Sequence, residues 1–184
     1  MSGLLRTARL QLVPADPVYA GRVADFFARN AAHLAPWEPR RAQLSDPLTQ
    51  QLALEQLARA FADGTGWRWL LLPAGDASRV IGSVALNNVV RGFHHSANLG
   101  YALDEQAQGR GLMQEAVQAV IDTAFGADPF RLHRIQAGVR PENARSLALL
   151  ERLGFRRIGL AEDYLLIDGA WRDHLLFERI NRDF

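Results

Sequence analysis

Apolar and polar positions along the chain repeat with two different periods, and each change of period marks an element boundary. Leu10, Leu12 and Pro14 alternate with Gln11 and Val13, which predicts a short strand. Asp16-Pro17 supplies an N-cap and a proline fit for the first helical position. The helix that follows is predicted to turn Val18, Val23, Phe26 and Phe27 to the core and to stop near Asn30. Ala35-Pro36-Trp37-Glu38-Pro39 reads as a loop, because each proline removes a donor and biases the residue before it away from helical backbone. Asp46-Pro47 repeats the cap and opens a helix to about Phe61, closed by Asp63-Gly64-Thr65-Gly66.

The period then shortens. Trp67 to Leu72 and Val80 to Val90 are rich in β-branched and aromatic residues and flank the turn Ala74-Gly75-Asp76, and a third strand covers about Asn98 to Leu103. Leu112, Ala116, Val117, Val120, Ile121 and Ala124 form the stripe of an amphipathic helix ending near Phe125. Arg134 to Val139 is a strand; Pro141-Glu142-Asn143 opens a helix through Leu153, where Gly154 stops it. Strands at Phe155 to Leu160, Tyr164 to Ile167 and Trp171 to Arg179 complete the chain, the last two joined by the hairpin signal Asp168-Gly169. The order β-α-α-β-β-β-α-β-α-β-β, without repeat or linker, predicts one α/β domain over residues 1–184 with a mixed, largely antiparallel sheet.

Composition narrows the chemistry. The chain has 184 residues, 48% hydrophobic and 22% charged, with net charge +1; at this length roughly 70% of the unfolded surface can be buried without disulfides or a structural metal. Cysteine is absent, which excludes a Cys nucleophile, thiol redox chemistry and thiolate metal sites. All 21 basic residues are arginine, which excludes a Schiff-base lysine and a Walker A loop. No apolar run reaches the roughly 18 residues of a membrane span, so a cytoplasmic enzyme is expected. Arginines are scattered rather than blocked, which argues against a nucleic-acid partner. His94 and His95 are adjacent and point to opposite faces of an extended chain, and no HxxxH spacing occurs, so no metal is expected.

Chemistry concentrates between Leu99 and Met113. A strand enters, Gly109 and Gly111 occupy the turn, and the long amphipathic helix leaves. A helix start of this kind presents unpaired N–H groups and the positive end of the dipole, and glycines let an anion approach the backbone. A bare Gly-x-Gly also serves as a simple tight turn. Gln106-x-x-Gly109-x-Gly111, however, has the form Arg/Gln-x-x-Gly-x-Gly/Ala, and over nearly its whole length the chain resembles the Gcn5-related N-acetyltransferases. The segments Leu34 to Pro39, Asn88 to Gly92, Gln108 to Met113 and Asp163 to His174 are similar to those of the ribosomal-protein-alanine N-acetyltransferases acting on small-subunit protein S5.

The resemblance implies a sheet splayed between the Leu99–Leu103 and Arg134–Val139 strands, with acetyl-CoA as cosubstrate in the gap. Leu103, Gln108, Gly109, Arg110, Gly111, Leu112 and Met113 would bind the cofactor. Asn143, also readable as a plain N-cap, would stand beside the pantetheine or the sulfur, and a backbone N–H at Ala102 or its neighbours would polarise the thioester. Without cysteine, direct attack by the amine is the simpler route; an α-amine with a pKa of about 7.7–8.0 is partly neutral at pH 7. Two family features are missing: Leu150 replaces the usual tyrosine acid, and Asn98 the usual carboxylate before Leu-Gly-Tyr. Ser146 is the remaining hydroxyl for the acid role, alternatively a packing residue; Glu38, Asp163 and His95 are candidate bases, each alternatively a solvated surface group. Trp37 and Glu38 would wall the acceptor site, and Asn87 and Asn88, which interrupt an apolar strand, would meet the substrate backbone. Trp67, Trp69 and Trp171 are read as core or sheet-face residues. The implied activity is acetylation of the N-terminal α-amine of a protein, by the resemblance a ribosomal protein, with two rivals: acetylation of a small-molecule amine, and non-catalytic acyl-CoA sensing. Oligomeric state is left open.

Overall fold

A computed structural model describes residues 3–38, 43–126 and 128–184. Strands β1 (Leu5–Arg6), β2 (Leu10–Pro14), β3 (Trp67–Pro73), β4 (Gly82–Val90), β5 (Ser96–Leu103), β6 (Arg134–Val139), β7 (Arg156–Ile167) and β8 (Ala170–Ile180) form one sheet in the order β1-β2-β3-β4-β5-β6-β8-β7. Neighbours are antiparallel except β5 and β6, which run parallel. The helices are α1 (Ala20–Leu34), α2 (Pro47–Asp63), α3 (Leu112–Phe125) and α4 (Ala144–Arg152).

Local chemistry explains most of the boundaries. Asp46 accepts from the Thr49 N–H at 2.8 Å, and Gly64 closes α2 at φ 69°, a left-handed conformation that costs glycine little. In α3, Ala116, Val117, Val120, Ile121 and Ala124 are fully buried in a core shared with β2–β6, α4 and β8. Each of the larger ones contributes about 1.5–3 kcal/mol on burial, so a charge at Val120 would unseat the helix. A second cluster, including Val23, Phe26, Leu34, Leu54 and Leu70, lies under α1 and α2. The two helix pairs therefore pack on two separate apolar clusters.

Several expectations need correction. Val18 is 70% exposed, because Pro17–Tyr19 forms a tight 3-10 turn and the α-helical phase begins only at Ala20. The first helix continues past Asn30 to Leu34, since no breaker precedes Pro36. The two strands expected between Phe155 and Ile167 are one, β7, whose irregularity between Ala161 and Leu165 interrupts the sequence pattern. Trp67 and Trp69 are core residues, whereas Trp171 is exposed on β8. Strand β1, two residues long, carries no periodicity to read. Pro39 of the predicted loop lies outside the described residues.

The feature that positions the site is a divergence in the middle of the sheet. Strand β6 pairs with β5 only from Ser96/Arg134 to Asn98/Gln136. Beyond that point β5 continues against β4 as far as Leu103, and β6 continues against β8 as far as Val139. The facing edges of 99–103 and 137–139 have no strand between them, leaving backbone donors and acceptors exposed inside a cleft.

Candidate active site

Alternation along β5 decides which backbone groups face the cleft. The Asp104 N–H donates to the Ile81 carbonyl at 2.8 Å on the β4 side, while the His95 carbonyl accepts from Arg134 at 3.0 Å on the β6 side. Counting by twos, Asn98, Gly100 and Ala102 turn their N–H and C=O groups to β4, and Leu99, Tyr101 and Leu103 turn theirs into the splay. Ala102 is therefore not a free donor; its neighbours Tyr101 and Leu103 are. Their side chains project to the face covered by α3 and α4.

At the top of β5 the chain passes through a 3-10 turn, Glu105–Ala107, and a glycine turn into α3. Gly109 and Gly111 have φ of 74° and 72°, and a Cβ at Gly109 would meet nothing within 4 Å, so the space above it is open. Among the described residues no backbone hydrogen bond engages the N–H groups from Gly109 to Gln114; the first to be engaged is Glu115, to the Gly111 carbonyl at 3.1 Å. Gln108, Gly109, Arg110, Gly111, Leu112 and Met113 thus come together as the predicted anion cradle at a helix N-terminus.

Long-range contacts hold this loop from three sides. Arg9 donates from its backbone N–H and its Nε to Glu115, at 2.9 and 2.7 Å, and from its guanidinium to the Arg110 carbonyl at 2.7 Å. Burial would raise the Glu115 pKa, but hydrogen bonds from Thr7 and Arg9 and the Arg9 charge hold it below its usual value. Asp104, 2% exposed, takes Arg79 at 2.8 Å and Arg29 at 3.1 Å, and accepts from the Gln106 N–H at 3.1 Å. Burial again acts to raise the pKa, and these donors outweigh it, so the carboxyl is held low. Helix α1 adds Asn30, whose Oδ1 accepts from the Glu105 N–H at 2.9 Å, and His33, 2.7 Å from the Gln108 amide, which is also bonded by Arg145 of α4.

Across the cleft, Asn143 caps α4, accepting from the Ser146 N–H at 3.1 Å. Ser146 faces Tyr101, whose buried hydroxyl has no well-formed hydrogen bond. Burial pushes the Tyr101 pKa up to about 12, with Ser146 acting weakly in the other direction. Trp37 and Glu38 form a turn after α1, their N–H groups bonded to the Leu34 carbonyl at 2.9 and 3.2 Å. Arg140, just past β6, lies over the Trp37 ring at 5.6 Å and donates to the Pro36 carbonyl at 2.7 Å, tying this turn to the far side of the splay.

The two asparagines of β4 part company. Asn87 pairs in register with Asn98 and lies over Gly100, on the sheet face opposite α3 and α4. Asn88 is exposed at the bulge between Asn87 and Val90 with φ 52°, a conformation asparagine tolerates well, so its interruption of the apolar pattern reflects backbone shape. His95 stacks on Phe184 at the end of β5 remote from the anion cradle. The clamps by Arg9, Arg29, Arg79 and Arg140 escaped sequence reading because each joins residues far apart in the chain, and scattered arginines carry no local signal.

A splayed sheet with a glycine-rich helix start at its mouth suits an enzyme that takes a phosphate-bearing cosubstrate against an open strand edge. Residues 9–156 match the acetyltransferase (GNAT) domain family, and the chain is a member of it. It is 42% identical over 158 residues to the ribosomal protein uS5-alanine N-acetyltransferase of Escherichia coli (strain K12), covering 85% of this chain and 80% of that one. Among solved structures it resembles the ribosomal-protein-S5-alanine acetyltransferase of Vibrio fischeri, with TM-score 0.91, 35% identity and coverage of 98% and 97%. RimJ of Mycobacterium smegmatis in complex with CoA-disulfide superposes with TM-score 0.88 at 30% identity, covering 100% of this chain and 88% of that one. The chain is an N-acetyltransferase that uses acetyl-CoA.

Proposed function

We propose that this enzyme, acting as one domain over residues 1–184, transfers acetyl directly from acetyl-CoA to the N-terminal α-amine of a ribosomal protein in the cytoplasm. The observation that carries this reading is the similarity over 85% of the chain to an enzyme named for alanine acetylation of ribosomal protein uS5. An open acceptor side fits it: the sheet face bearing Asn87, Asn98 and Gln136 offers an extended strip of carboxamides rather than a closed pocket for a free amine.

The pyrophosphate of acetyl-CoA is held by the N–H groups of Gly109 to Met113, and Gln108 is braced from both sides to keep that loop in place. Pantetheine lies along the free edge of β5, where Leu103 and Tyr101 supply N–H groups to the pantetheine amides and the thioester oxygen. Asn143 keeps the first turn of α4 against the sulfur, and the Ser146 hydroxyl donates to the departing thiolate, with Tyr101 behind it. Trp37 and Glu38 bound the acceptor, and Asn87 meets its backbone. The attacking nitrogen forms the C–N bond as the C–S bond breaks, so no acyl-enzyme is required in a chain without cysteine.

The test is mass spectrometry of a peptide library incubated with enzyme and acetyl-CoA. Peptides beginning with alanine or another small residue should gain one acetyl group at the α-amine. Acetylation of free amines alone, or CoA-thioester binding with no acceptor consumed, would reject the reading.

A further inference from the structure

His174 is 3% exposed on β8, and its Nδ1 lies 2.9 Å from the Arg172 carbonyl two residues away on the same strand. That bond needs an N–H at Nδ1, which leaves Nε2 as the nitrogen with a free lone pair. Packing alone does not call for an imidazole, because an apolar ring would fill the same space without burying a polar group.

Its position is set by register. Gln136 is opposite Asn98 on β5 and Glu178 on β8, and Gly138 is opposite Leu176. Residues 174, 176 and 178 alternate onto one face, the face of Asn98 and Asn87, opposite Ser146. A Cβ on Gly138 would meet the His174 Cδ2 at 3.7 Å and the Tyr164 ring at 3.4 Å, so both rings overhang the first β6 residues beyond the splay. Nε2 is bonded to Cδ2 and so lies close to the same Gly138 position, on the face of the sheet that carries Asn98. His174 stands abreast of Arg140, the residue that contacts Trp37.

We propose that His174 is the base of the transfer, resting on the reading that the acceptor is an α-amine. The ammonium form of the acceptor gives one proton to Nε2, and the imidazolium passes it to solvent. The neutral nitrogen attacks the thioester carbon and the C–S bond breaks. The second nitrogen proton reaches the thiolate by way of Ser146, giving amide, CoA thiol and one released proton. Asn98, in the place of a carboxylate, cannot accept that proton. The groups around the ring are Tyr164 of β7, its centroid 5.5 Å away, Arg172 on β8 itself, Arg140 beyond β6, and Glu162 and Asp163 in the β7 irregularity.

The experiment compares two nucleophiles: a peptide beginning with alanine, and the same peptide with a hydrazide in place of the α-amine, which is neutral at assay pH and needs no base. His174→Gln should lower kcat about a hundredfold with the amine, and less than fivefold with the hydrazide. The acid limb of the kcat/KM profile should shift for the amine only, with acetyl-CoA affinity by calorimetry unchanged. Equal losses for both nucleophiles, or a wild-type rate with the amine, would overturn the assignment. Nitrogen-15 NMR of folded wild-type protein reads the tautomer independently of any variant: an Nε2-protonated His174 at pH 7.5 also overturns it. Wild-type enzyme that leaves the peptide unacetylated overturns the acceptor reading and this assignment with it; a deficit confined to the variant concerns His174 alone.

Discussion

The proposed cofactor bank of the cleft and the proposed acceptor bank are assembled by different forces. On the cofactor side, the loop from Asp104 to Met113 is fixed by a buried carboxylate between two arginines, by the Arg9–Glu115 pair and by two residues of α1. On the acceptor side, the Trp37 turn is joined to the β6 end by one guanidinium over one ring and one donor to a carbonyl. Several charge-assisted bonds converging on one loop impose a single geometry, whereas one cation–π contact and one hydrogen bond between partly buried groups leave more freedom to open and re-form. The division suits the proposed chemistry: one cosubstrate never changes, and the proposed acceptor is the end of a protein chain that must enter and leave.

The comparison is broken most severely at Asp104. Removing one partner of a buried ion cluster costs about 3–5 kcal/mol, because the two arginines are left facing each other without their anion. Asp104→Asn should lose about 3 kcal/mol in urea denaturation at pH 7 and weaken acetyl-CoA binding. The carboxyl is held below its ordinary pKa by Arg79, the Gln106 N–H and Arg29 against the effect of burial. Its stabilising contribution is therefore complete above the unfolded pKa of about 3.9 and is lost as pH falls through the lower folded value. The gap between wild type and variant should accordingly narrow below about pH 4; a gap independent of pH would show that packing, not charge, holds the loop.

Gly109→Val comes next. The φ of 74° is strained for any β-branched residue, and the side chain would occupy the open space above the cradle. Losing two charge-assisted bonds of about 1.5 kcal/mol each corresponds to roughly a hundredfold weaker acetyl-CoA binding, measurable by calorimetry on folded protein. Unchanged affinity would reject the cradle. Ser146→Ala touches neither bank's binding groups and should lower kcat about ten- to a hundredfold with acetyl-CoA affinity preserved, since a serine hydroxyl is a weak acid that water can partly replace. Tyrosine at Leu150 would not restore the rate, because Leu150 is fully buried in the core rather than open to the cleft.

The same division explains what the sequence disclosed. The glycine turn into α3 was legible because its determinants are contiguous: a strand pattern, two glycines and a helical stripe, where turn chemistry and periodicity act directly. Asn143 was legible as a cap for the same reason. The acceptor side was read through resemblance alone at Trp37 and Glu38, and Asn88 was ambiguous because a bulge and a substrate contact place the same residue type in an apolar strand. His174 was passed over because its meaning lies in cross-strand register with Gly138, which no local period encodes.

The smallest effect, and the one that separates the banks most directly, is expected at Trp37. Its ring is partly exposed and lies against the Arg140 guanidinium, so truncation should cost about 0.5–1 kcal/mol of wall geometry. Trp37→Ala should raise the acceptor KM about three- to fivefold while leaving acetyl-CoA binding unchanged. Arg140→Lys should give a similar or smaller loss, because lysine retains the charge but not the planar guanidinium that lies over the ring and reaches the Pro36 carbonyl. If the contact itself shapes the wall, the double variant should lose no more than Trp37→Ala alone, since either change already removes it. Additive losses would mean that Arg140 meets the acceptor separately. Equal losses for peptide and acetyl-CoA would mean that the Trp37 turn is mechanically continuous with the cradle through α1, by way of His33 and Gln108, and that the two banks are one body.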